Sequence, residues 1–160
     1  MITEILVFFA NYGIFFIIII SLLNFKNEFK SLIAVGLSLA ISYGISAMFY
    51  VPRPFVNGNF TPLIPHDASS SFPSRHASAG FAMSASTFNS NTILGLISAA
   101  VATLMSIGRI YAGLHSQADI VFGVLIGGGC AIFAYSKFME NLLNRIFKRK
   151  TSGQNRKTKK

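Results

Sequence analysis

The sequence predicts an all-α integral membrane protein in which about five transmembrane helices close into a helical bundle. Three observations predict it. The first is composition: of 160 residues, 52% are hydrophobic and 12% charged, with a mean hydropathy of +0.55, which is too apolar and charge-poor for an ordinary soluble domain. The second is the apolar stretches 4–23, 31–50, 92–111 and 118–137, which reach or approach the roughly 20 residues that an untilted helix needs to cross a bilayer. A further stretch, 73–88, is shorter and rich in Ala and Ser. The third is that all five prolines lie between Pro52 and Pro73, so the helix-breaking residues are gathered in one place. The length suits one domain, divided as a transmembrane domain over 1–144 and a basic tail over 145–160.

Taken in order, the first stretch reads as a permanent span. It carries Glu4 where a cleaved leader has a basic region, and its apolar run is too long for one. The positive-inside rule puts Lys26 and Lys30 on the cytoplasmic side. Span one then runs inward from an outer Met1 and Glu4, and span two, 31–50, returns outward. Residues 51–72 form an outer loop, since proline lacks a backbone donor and blocks helix interiors. A loop of that length in so small a protein is usually functional. Span three opens at Ser70-Ser71-Phe72-Pro73-Ser74-Arg75-His76, where serine followed by proline is a start signal that puts Pro73 near the first helical position. Its N-terminus would face outward as a ready anion site. Ala77, Ser78, Ala79, Gly80, Ala82, Ser84, Ala85 and Ser86 are all small. Small residues allow close helix approach in lipid, so this is the expected central helix. Asn89-Ser90-Asn91 makes an inner turn, span four (92–111) comes back out, and span five (118–137) goes in. Gly123 and Gly127 in span five read as a packing pair and not as a dimer signal, and the lone Cys130 reads as a small packing residue.

The net charge of +9 is not spread evenly. Lys137, Arg145, Lys148, Arg149, Lys150, Arg156, Lys157, Lys159 and Lys160 all lie from the inner end of the last span onward. That reads as a cytoplasmic tail anchored on anionic lipid. Nucleic acid is not expected as a partner, because no aromatic residue is interleaved after Phe147. The same topology, in a plasma or inner membrane, puts both remaining polar windows on the outer face.

Those windows hold every histidine. His66 and His76 lie with Arg53 and Arg75; His115 lies with Arg109 and Asp119. Ionisable groups at membrane depth are costly and point to function. Imidazole acts as nucleophile or acid/base near neutral pH, and guanidinium forks match phosphate oxygens. Asp119 follows His115 by four residues, so in a helical turn the two share a face. A carboxylate on one ring nitrogen fixes the tautomer and leaves the other free to attack. For one His–Asp pair alone, a helix-capping Asp and a structural His would be the better reading; the neighbouring arginines and the second window favour function.

Arg53-Pro54, then Pro73-Ser74-Arg75-His76, then Arg109 followed by His115 and Asp119, resemble in order and spacing the three motifs of the type 2 phosphatidic acid phosphatases. The run Pro52-Arg53-Pro54-Phe55-Val56 with Leu63-Ile64-Pro65-His66 and Ser71-Phe72-Pro73-Ser74 is similar to the bacitracin-resistance branch, whose members are undecaprenyl-diphosphate phosphatases. The resemblance implies hydrolysis of the terminal phosphate of a polyprenyl diphosphate in lipid-carrier recycling for cell-wall synthesis, with no cofactor. It implies His115 as nucleophile, Asp119 as its orienting group, and His76 as the acid that protonates the leaving oxygen and later activates water. Arg53, Ser74 and Arg109 would hold the phosphoryl oxygens. Phosphoryl transfer asks a protein mainly for positioning and for cations where charge develops. Attack by an unprotonated His115 with a protonated His76 implies a bell-shaped pH profile belonging to the coupled pair.

The chain departs from the family pattern at several positions. Ser46 stands where the first motif usually opens with Lys, Arg75 where the second usually has Gly or Asp, Gly108 before the third-motif Arg, and Ser116-Gln117 where an aromatic-proline pair is usual. Arg75 either supplies the charge missing at Ser46 or points to solvent and headgroups. His66, with Asp67, either touches a second phosphate or caps the loop, the cap being favoured. Phosphatidate, phosphatidylglycerol phosphate and lipid A are alternative substrates within the family. Two rival readings are a zinc site, against which the adjacent arginines argue by repulsion, and a non-enzymatic lipid transporter, which the lack of an internal repeat disfavours.

Overall fold

The structure, a computed structural model, describes residues 1–23 and 28–146. Lys26 and most of the basic tail lie outside the described residues. The chain folds into α1 (Ile2–Leu22), α2 (Glu28–Met48), the short α3 (Pro54–Asn57), α4 (Arg75–Ser90), α5 (Thr92–Tyr111) and α6 (Gln117–Ala134). Residues 137–146 are also helical, and there is no strand among the described residues. α1, α5 and α6, and α2 from Phe29, are long and apolar enough to cross a membrane. With α4 they form the five-helix bundle expected from the sequence.

α4 is the central element. It packs against α1, α2, α5 and α6, while α1 pairs with α5 and α2 with α6 on its two sides. The reason is side-chain size. Ala77, Ser78, Ala79, Gly80, Ala82, Ser84 and Ser86 are buried along α4. A Cβ at Gly127 would lie 2.3 Å from the Ser78 carbonyl oxygen, and one at Gly123 2.7 Å from that of Ser74. The glycine pair therefore lets α6 touch the α4 backbone inside one chain. Gly108 plays the same part between α5 and α1, where a Cβ would meet the Leu6 carbonyl at 2.2 Å. Hydroxyls add cross-links: Ser42 Oγ donates to Ser78 Oγ at 2.9 Å, and Ser84 and Ser98 Oγ atoms are 2.8 Å apart. Interhelical bonds of this kind contribute on average about 0.6 kcal/mol each in a membrane protein, so close backbone packing does more than the serines. Large apolar side chains such as Phe15, Leu32, Ile93, Leu125 and Ile132 face outward, as a lipid solvent requires.

One local expectation changes. α4 begins at Arg75 with Ser74 as N-cap, so Pro73 lies before the helix and not at its first position. The cap is made by the Ser74 side chain, which accepts from Ala77 N, and a serine satisfies that orphan donor as proline cannot. Ser46 donates to the Phe72 carbonyl at 2.8 Å, which ties α2 to the segment leading into α4. At the other end of the bundle, Lys30 lies 3.7 Å from Glu140, so the start of α2 and helical segment 137–146 share one end of the bundle.

Candidate active site

The ends of α4, α5 and α6 meet the 49–74 segment around a cavity of about 370 Å³. Arg53, His66, Arg75, His76, Arg109 and His115 all line it, with Ile14, Leu39, Tyr43 and Ala79 forming an apolar side. The two polar windows, far apart in sequence, are one place in space. Of the residues singled out from the sequence, Ser74 and Asp119 are not on the cavity wall. Both are buried, and they are joined to each other by a bond from Ser74 N to the Asp119 carbonyl at 3.0 Å.

The wall is stitched from backbone. Phe55 N donates to Gly113 O, Leu63 N to Ala112 O and Ser71 N to Val51 O. Gly113 has φ +76°, and a Cβ there would press into the Phe60 ring at 2.6 Å, so the turn before His115 requires glycine twice over. Arg53 completes the seam. Its Nη1 donates to Leu114 O at 2.9 Å, and its Nη2 to Ser69 Oγ at 3.1 Å and Ser70 O at 3.3 Å. Arg109 is held by a single bond, Nη1 to Ala10 O at 3.2 Å.

His115 is 3% exposed. Its Nδ1 lies 2.9 Å from the Ser71 carbonyl oxygen. A carbonyl can only accept, so this contact puts the proton on Nδ1 and leaves the Nε2 lone pair free. Asp119 Oδ2 is 3.7 Å from the same nitrogen; it accepts from Ser116 N at 2.7 Å, and Ser116 Oγ in turn accepts from Asp119 N. Asp119 is thus both the capping-box carboxylate of α6 and the nearest negative charge to the His115 ring. Burial pushes the His115 pKa below the ordinary imidazole range; Asp119 opposes this, and Arg109 and Arg53 reinforce it. An imidazole held low is neutral at pH 7. Activity that needs the neutral ring should persist as pH falls through the ordinary imidazole range and decline only below it. In kcat/KM measured against pH, an acid limb above that range would contradict this.

The charge balance is one-sided. Arg53 is 1% and Arg109 4% exposed, their Nε atoms are buried without a hydrogen-bond partner, and no carboxylate among the described residues lies within ion-pair distance of Arg53, Arg75 or Arg109. Burial presses the Arg53 pKa below the ordinary guanidinium value, and Arg75 adds to that. Sequestering guanidiniums without a counter-ion costs several kcal/mol each, so the cavity is arranged for an anion with several oxygens. His66 sits at its edge, with Nδ1 3.1 Å from the Asp67 carbonyl; burial lowers its pKa too, and the Asp67 carbonyl opposes this. Among the described residues no three His, Cys, Asp or Glu side chains gather as a metal site would need.

Residues 27–142 match the PAP2 superfamily. The chain belongs to that superfamily. It is 28% identical to undecaprenyl-diphosphatase BcrC of Bacillus subtilis (strain 168) over 167 aligned residues, 98% of this chain and 86% of the relative. LpxE of Aquifex aeolicus superposes with a TM-score of 0.70 at 27% identity, over 82% of this chain and 84% of that one. A transmembrane PAP2-type phosphatidylglycerolphosphate phosphatase from Bacillus subtilis gives 0.63 at 21% identity, over 87% and 77%, a likeness of fold. This protein is accordingly a multi-pass membrane phosphatase of lipid phosphates.

Sequence reasoning missed the Ser71 and Leu114 carbonyls, which orient His115 and Arg53. Backbone acceptors carry no side-chain signature. Tyr43, on α2, also lines the cavity, and its aromatic ring four residues after Leu39 was the only available sign.

Proposed function

We propose that the protein hydrolyses the terminal phosphate of a polyprenyl diphosphate, in the manner of an undecaprenyl-diphosphatase that recycles a lipid carrier for cell-wall synthesis. His115 Nε2 attacks the terminal phosphorus. The N–P bond forms as the bond to the bridging oxygen breaks, and His76 gives its proton to that oxygen. In the second half, His76 takes a proton from water, the water oxygen attacks phosphorus, the N–P bond breaks and inorganic phosphate leaves. The ring stays protonated at Nδ1 throughout, and the Asp119 carboxylate offsets the positive charge it carries while phosphorylated. Arg53 and Arg109 hold the phosphoryl oxygens, with Ser74 acting as the cap that sets the α4 N-terminus.

The observation that carries this reading is the His115 Nδ1–Ser71 O bond of 2.9 Å, which leaves the Nε2 lone pair free on a ring that lines the same cavity as three guanidiniums. The similarity to BcrC supports the choice of substrate. The apolar side supports a lipid tail: α1 and α2 both pack on α4 but touch each other little among the described residues, and Ile14, Leu39 and Ala79 line the cavity from these three helices. In this reading the site faces outward, residues 1–144 form the phosphatase domain, and tail 145–160 lies on anionic lipid in the cytoplasm. The test is phosphate release by purified protein from undecaprenyl diphosphate, phosphatidate, phosphatidylglycerol phosphate and lipid A. The diphosphate should give the highest kcat/KM; a higher value for any of the others would reject the assignment.

A further inference from the structure

The geometry points to Arg75, held by Tyr43, as the group that binds the lipid-side phosphate of a diphosphate and so sets preference for diphosphates over monophosphates. This rests on the proposed function. The guanidinium carbon of Arg75 lies 4.6 Å from the centre of the Tyr43 ring, a cation–π distance. Arg53 and Arg109 are buried and bonded to backbone carbonyls. Arg75 is only half-buried, and its described contact is an aromatic face. It has no carboxylate within ion-pair distance among the described residues.

Its position divides the cavity. Tyr43 and Leu39 are one helical turn apart on α2 and both line the apolar side. Arg75 and His76 are the first two residues of α4 and line the same cavity. Arg75 therefore stands where the apolar wall meets the polar one. A substrate with its terminal phosphorus at His115 and its tail along Leu39 must pass its second phosphate through that boundary. There the departing phosphate gains negative charge as the bridging bond breaks, and a guanidinium whose partner is a ring face, not an acceptor, keeps its N–H donors free for it. A monophosphate places no second phosphate at this boundary; the charge that develops on its leaving group sits on the single ester oxygen, which the proton from His76 neutralises.

The test compares kcat/KM for undecaprenyl diphosphate and for phosphatidate. A lost charge-assisted contact is expected to lower the diphosphate value about 10- to 100-fold in Arg75→Gln, with a loss of about threefold or less for phosphatidate, which also reports that the variant is folded. Tyr43→Leu should lower the ratio of the two values about 3- to 10-fold and act mainly on KM, while Tyr43→Phe keeps the ratio because the ring face remains. Equal losses on both substrates, or an unaltered ratio in Arg75→Gln, would overturn this role and leave the diphosphatase reading standing. If the unaltered protein hydrolyses phosphatidate but no diphosphate, the diphosphatase reading fails and this role with it.

Discussion

His115→Ala is expected to lower phosphate release by about 10⁴-fold or more, because removing a nucleophile removes the covalent route and not merely a contact. The side chain fills a nearly closed position, 3% exposed, and its one ring hydrogen bond is to the Ser71 carbonyl. Substrate binding depends mainly on the guanidiniums, so the variant should still bind, and the loss should fall on kcat. A second readout separates nucleophile from bystander. Brief exposure of the unaltered protein to substrate labelled in its terminal phosphate should leave acid-labile label on the protein. His115→Ala should leave none. In His76→Ala the label should persist longer, since that residue activates the water that clears it. Retention of more than a tenth of the activity in His115→Ala, or label on that variant, would rule out this histidine as the attacking group.

The bundle was legible because lipid imposes a simple rule: apolar runs of sufficient length, broken by charge or proline. That rule placed α1, α2, α5 and α6 within a few residues, and the small side chains of α4 marked it as the central helix. The converging arginines and histidines were legible for a related reason, since a chain with so few charges keeps those that matter. What was hidden is geometry made by backbone. The expectation that Asp119 orients His115 came from a four-residue spacing and the family resemblance; the structure adds the Ser71 carbonyl at 2.9 Å, closer than the carboxylate at 3.7 Å. No sequence pattern announces a carbonyl 44 residues away. The same holds for Ser74, whose hydroxyl reads as a phosphate ligand in the sequence and in the fold also caps α4, accepting from Ala77 N. Ser46 was left unassigned, and its bond to the Phe72 carbonyl makes it a tie between α2 and the approach to α4.

The two buried arginines should fail differently when removed. Arg53→Ala is expected to cost about 10³-fold in kcat/KM and to leave the protein less stable than Arg109→Ala does, since both variants relieve a buried guanidinium without a counter-ion but only the first orphans backbone carbonyls. The activity loss follows from removing a charged donor from the reacting phosphate. The stability loss follows from the carbonyls of Leu114 and Ser70, each left without the donor that Arg53 supplies, at about 1–3 kcal/mol per buried unpaired group. The Leu114 carbonyl belongs to the residue before His115, and the Ser70 carbonyl to the residue before Ser71. Loosening both would also release the imidazole, so the loss of activity should exceed that of a phosphate contact alone. Arg109→Ala removes the same charge, but its one backbone acceptor, Ala10 O, lies inside α1, where the helix ladder already supplies a donor. Its activity should fall by about 10²- to 10³-fold, while the detergent-solubilised protein unfolds at the same temperature as the unaltered protein or higher, because a buried charge without a counter-ion is removed. Arg53→Lys should restore charge without the three-way bridge, recovering part of the activity and little of the stability. Equal unfolding temperatures for Arg53→Ala and Arg109→Ala would mean that the seam between the 69–71 and 113–115 segments does not depend on Arg53, and that its guanidinium serves the phosphate alone.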